Sequence, residues 1–184
     1  VSETTAVAAL ANDNTPNVVI TSGEAGTLSY ATCTFDSATA SSIAASTATT
    51  LTLDADGGGT GLADASYANC KIRVTDTAGN IGSVTLTTFE IDTAVATPSE
   101  TTAVSTPTND ESPDVVITTT QAGTIVVGGT SGCAIGSPTV ASGQQTLTLS
   151  TITQGDGAYT CTMTFTDSAG NTASALTLTA FILD

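Results

Sequence analysis

"CKIRVTDTAGNIGSVTLTTFEID", Cys70–Asp92, is the stretch on which the reading of the chain turns. Cys70, Ile72 and Val74 alternate with Lys71, Arg73 and Thr75, the period of two that sends one face of a strand into a core and the other into water. "TDTAGN" then supplies turn residues: Asp76 can accept the turn's own amides, and Gly79 can take a positive φ. Alternation resumes at Val84 and Leu86, so the hexapeptide reads as a hairpin between two antiparallel strands. Phe89 and Ile91 then continue on the opposite parity, and a β-bulge between the two pairs would restore the inward face.

The passage is written twice. "CTMTFTDSAGNTASALTLTAFILD", Cys161–Asp184, repeats the strand, the turn and the change of phase, with Leu176 and Leu178 giving way to Phe181 and Leu183. Working outward, "SETTAV" at Ser2–Val7 returns at Ser99–Val104, and "NVVIT" at Asn17–Thr21 returns as "DVVIT" at Asp114–Thr118. A chain of 184 residues then divides into two small domains, expected at 1–94 and 99–184 with a linker at 95–98. No segment carries a sustained 3.6-residue apolar stripe, whereas short alternating runs recur between turn clusters such as "ANDNTP", "DADGGG" and "PTNDES". About seven strands per half, packed as an antiparallel sandwich, are the all-β expectation.

Lys and Arg number 2 against 17 Asp and Glu, a net charge of −15, so a phosphate backbone would be repelled and nucleic acid is excluded as a partner. No apolar run is long enough to insert in a membrane, and the chain reads as a segment of something longer. With no histidine, a Ser-His-Asp or Cys-His catalytic arrangement cannot be assembled, and no enzymatic activity is expected. The four cysteines fall two per half. Pairing Cys33 with Cys70 and Cys133 with Cys161 is the one arrangement that keeps each bridge inside a repeat, and it would stabilise each by about 3.5–4 kcal/mol. The alternative is free thiols or a zinc site, although no C-x₂₋₄-C pair is present. "DADGGGTGLAD", Asp54–Asp64, satisfies neither the EF-hand loop nor the glycine-rich nonapeptide calcium motif.

The order "TP-x-VVIT…AGT…Y-x-C…TD-x-AGN…F-x-ID" resembles the bacterial immunoglobulin-like repeats found in tandem in large extracellular adhesion and biofilm proteins. The resemblance implies two tandem immunoglobulin-like sandwiches. It implies that Tyr159 of "DGAYTC" makes a corner bond to backbone at the start of strand F, and that Tyr67 does the same with one extra residue before Cys70. Cys33 and Cys133 follow sequences that read as strand C, so the expected bridges run from the end of C to the start of F. The implied topology puts the carboxyl end of the first domain against the amino end of the second. Asp13, Asp64, Asp92, Glu100, Asp167 and Asn171 would gather there as oxygen ligands, making calcium at the interdomain junction the one cofactor expected, though none is required for folding.

The function that follows is a non-enzymatic extracellular module, the stalk or spacer of a cell-surface adhesin, with neighbouring repeats or subunits of the same protein as partners. A subunit of a self-assembling filament or surface layer is the alternative. A carbohydrate- or ligand-binding module is the second alternative, and the absence of Trp speaks against it; no surface or glycan ligand can be named from the residues.

Overall fold

The computed structural model describes residues 1–38, 40–129, 133–136, 139–150, 152 and 155–184. The chain folds as two compact units, Val1–Ala94 and Val95–Asp184, and each encloses its own apolar core. Among the described residues no helix is long and apolar enough to cross a membrane.

The first unit contains β1 (Ser2–Thr5), β2 (Leu10–Ala11), β3 (Asn17–Thr21), β4 (Gly26–Tyr30), β5 (Thr34–Phe35), β6 (Ser42–Ile43), β7 (Thr49–Asp54), β8 (Ala65–Tyr67), β9 (Lys71–Thr75), β10 (Ile81–Thr85) and β11 (Phe89–Ile91). One sheet runs β1-β3-β7-β5 and the other β10-β9-β4-β6, with β2-β11-β8 carrying the lower end. Val18, Ile20, Leu51, Leu53, Ile72 and Ile91 are fully buried between the layers, each contributing about 1.5–3 kcal/mol by leaving water. Alternation does the sorting, since the burial of β9 runs half-buried, buried, exposed, buried, half-buried.

The second unit repeats the plan with β12 (Ser99–Thr102), β13 (Asp114–Thr119), β14 (Gly123–Gly129), β15 (Thr139–Val140), β16 (Gly143–Thr148), β17 (Gly157–Tyr159), β18 (Cys161–Asp167), β19 (Leu176–Thr177) and β20 (Phe181–Leu183). Its sheets run β12-β13-β16 and β15-β14-β18-β19, with β17 and β20 paired below. Thr108 bridges Leu183 in parallel, the role β2 plays against β11. Strands are more numerous and shorter than the seven expected, because the first and last two passes of the chain are broken.

The change of phase in the last strand has a different resolution in each unit. In the second, Leu178 N–H donates to the Cys161 carbonyl at 2.9 Å while Phe181 pairs with Tyr159, so Thr179 and Ala180 lie opposite the single Thr160. That is the expected bulge. In the first, Leu86 N–H donates to the Cys70 carbonyl at 2.8 Å and Phe89 pairs with Tyr67, so Thr87 and Thr88 face Ala68 and Asn69. The additional residue in "YANC" cancels the bulge and keeps the register, and Asn69 absorbs the distortion in the left-handed region at φ 62. Asparagine tolerates that region because its short side chain can bond locally.

Candidate functional site

Most of the side chains singled out from the sequence stand in turns, and each "TD-x-AGN" hairpin is built around its aspartate. Asp76 Oδ1 accepts the Ala78 and Asn80 amides, both at 2.8 Å, and Oδ2 accepts Asn80 Nδ2 at 2.8 Å. In the second unit Asp167 Oδ1 accepts the Ala169 and Asn171 amides at 2.9 Å, and Oδ2 accepts Asn171 Nδ2 at 3.0 Å. Gly79 at φ 88 and Gly170 at φ 95 close the turns. Bonds from the Asn80 side chain and amide hold the Asp76 carboxyl below its ordinary value.

The other proposed cation ligands are engaged in the same way. Asp13 Oδ1 takes the Thr15 amide at 2.9 Å and hydroxyl at 3.1 Å. Asp64 Oδ1 takes the Thr93 amide at 3.0 Å and hydroxyl at 2.8 Å, tying the loop before β8 to the chain after β11. Asp92 Oδ1 accepts the Ala94 amide at 3.1 Å, and its own amide donates to the Ala11 carbonyl at 2.9 Å. The loops carrying Asp13, Asp64 and Asp92 do meet in the first unit. Even so, among the described residues no three acidic or cysteine side chains are grouped as ligands for a metal ion. The glycine-rich loop follows the same rule: buried Asp54 accepts the Gly57 amide at 2.8 Å and the Gly59 amide at 2.7 Å, and Thr60 Oγ1 donates to Asp56 at 2.6 Å. The Thr60 hydroxyl is also the main reason the Asp56 carboxyl titrates low.

Glu100 has a role that its placement at a junction does not suggest. Its Oε2 accepts both the amide of Thr179, at 2.9 Å, and its hydroxyl, at 2.7 Å. Glu3 does the same for Thr87, at 2.8 and 2.7 Å. Both threonines stand in the break of the last strand, where an amide is left outside the ladder. The glutamates reach them because β1 and β12 carry irregularities of their own, the register shifting between Glu3 and Thr5 and between Glu100 and Thr102. The remaining oxygens, Glu3 Oε1 and Glu100 Oε1, are buried without a hydrogen-bond partner among the described residues. The one signal in the sequence is an acidic residue at the same place in both "SETT" strands.

Cys33 is bonded to Cys70 and Cys133 to Cys161, each bridge running from the end of one strand, β4 or β14, to the start of β9 or β18. Tyr67 Oη donates to the Ala63 carbonyl at 2.9 Å and Tyr159 Oη to the Gly155 carbonyl at 2.7 Å, so both corners form. The tyrosine rings stack on Phe89 and Phe181 with centroids 5.2 and 5.6 Å apart. A shallow groove beside the first bridge is lined by Tyr30, Cys33, Thr34, Asp54, Leu62 and Tyr67.

Two facing antiparallel sheets and a tyrosine corner define immunoglobulin-like sandwiches, here with a strand C to strand F bridge in place of the antibody-type B–F one. Residues 94–184 match the family model described as bacterial Ig-like domain, and the second unit belongs to that family. Among solved structures, the D00-D0 domain of Intimin is similar at 17% identity over 96% of this chain and 95% of that one, with a TM-score of 0.33. No curated protein matches the chain.

Proposed function

We propose that the chain is a non-enzymatic extracellular module, a stalk or spacer of a cell-surface adhesin. The observation that carries this reading is that the polar groups a site would need are engaged in holding turns: Asp13, Asp54, Asp56, Asp64, Asp76 and Asp167 all accept bonds from amides within their own unit. Disulfides persist in oxidising compartments, and membership of the bacterial Ig-like family fits a surface location. Calcium on the acidic loops is carried as part of the proposal, on charge alone. Calorimetry at millimolar calcium should show binding that weakens in Asp92→Asn, and no heat at that concentration would remove the cation.

The spacer reading is tested by displaying residues 1–184 between a membrane anchor and an epitope. Cells bearing it should present the epitope as well as cells bearing an unrelated pair of immunoglobulin-like units, and should adhere to surfaces and glycans no better. Adhesion specific to this chain would make it the adhesive element instead.

A further inference from the structure

Both cations of the chain, Lys71 and Arg73, lie on β9, two residues apart on the outward face of the sheet. Ser29 and Ser83 flank Arg73 on the neighbouring strands and Thr85 flanks Lys71, so no acid shares their rows. Neither side chain has an ion pair among the described residues, in a chain with 17 carboxylates. Farther along the same ribbon, past the break, exposed Glu90 on β11 stands opposite Ser66. Ser83 to Glu90 spans seven residues, about 20 Å along the strand. The outward face is therefore positive in its middle and negative toward its end.

The second unit supplies the internal comparison. Aligning Cys70 with Cys161 and Phe89 with Phe181 puts Thr162 for Lys71, Thr164 for Arg73 and Ile182 for Glu90. Both signs of charge disappear together, on the same face of the same fold. Charges kept for solubility alone have no reason to be gained or lost as a set.

We propose that this face of the first unit docks on its own counterpart in a second copy of the chain. In an antiparallel, two-fold arrangement Lys71 and Arg73 of each copy lie over Glu90 of the other, satisfying both ends at once. The inference is independent of the spacer reading. From the rows of β4, β9 and β10 to Glu90 on β11 the patch is about 14 Å wide and about 20 Å long, well below the area of a permanent interface, so the contact is weak and reversible.

Two chains of net charge −15 also repel at long range, and salt separates the two effects. With a Debye length of about 30 Å at 0.01 M, repulsion spans the molecule; at about 8 Å, in 0.15 M, close pairs survive; at about 3 Å, in 1 M, they too are screened. Sedimentation of residues 1–184 should therefore show self-association strongest near 0.15 M salt. Arg73→Glu, at an exposed position, and Glu90→Lys should each weaken it about tenfold with unchanged unfolding curves. An equimolar mixture of the double variant Lys71→Glu with Arg73→Glu and of Glu90→Lys should restore association, because the charges are exchanged between partners. A chain monomeric at every salt and up to millimolar concentration, variants that associate like the parent, or a mixture that fails to recover would each overturn the proposal. So would a monomer whose basic pair instead retains an anionic polysaccharide.

Discussion

Glu3 and Glu100 show how much one side chain can settle at a distance. Each accepts an amide and a hydroxyl from a threonine far along the chain, at a place where the strand has left its ladder. Removing the acceptor leaves a donor in a break that no other described group satisfies. Glu100→Ala should therefore cost about 2 kcal/mol in denaturant unfolding, and Glu100→Gln, which keeps one acceptor oxygen, less than half of that. Tyr159→Phe removes only the corner bond to Gly155 and should cost about 1 kcal/mol. The aspartates of the turns give a pH prediction. Asp56 and Asp76 have folded values below the ordinary 3.8, so the stability they lend is present above that value and lost as pH falls below it. Melting curves should be flat near neutrality and decline in acid below about pH 4, and the decline should be shallower in Asp76→Asn.

Along the strands, the distinction between local and long-range information accounts for what could be read in advance. Alternation in "CKIRVT", the turn chemistry of "TDTAGN" and the Tyr-to-Cys spacing all act within a few residues, and each led to the element observed. The glutamate contacts join residues 84 and 79 positions apart, and nothing local announces that β1 will lie beside the break in the last strand. The acidic residues were legible as turn formers, since Asp13 and Asp92 each cap an amide two residues on. The register of the first unit was hidden for another reason: one extra residue in each of two strands cancels, and only the paired structure shows it. Asn69 carries that cancellation, so Asn69→Ala should destabilise the first unit by about 1 kcal/mol and Asn69→Gly should be near neutral, read from the melting of residues 1–94.

For the whole molecule, separate cores predict separate folding. Fragments 1–94 and 95–184 should each unfold cooperatively. The segment 95–98, expected as a linker, contributes Ala96 to the second core, and its amide donates to Gln121 Oε1 at 2.5 Å. Fragment 99–184 should then melt below fragment 95–184, by the equivalent of about 1–2 kcal/mol. The two bridges carry a consequence that appears under tension. Pulled from its ends, the chain transmits force through Cys33 to Cys70 and through Cys133 to Cys161, so the strands between them, β5 to β8 and β15 to β17, are bypassed by the load. Their 37- and 28-residue spans cannot lengthen while the sulfurs stay joined. At about 3.5 Å per residue, a reductant should add about 130 Å to one unfolding step and about 100 Å to the other. Intact, each unit yields only part of its length, and a stretched molecule keeps the strands inside each bridge gathered close to where refolding must begin.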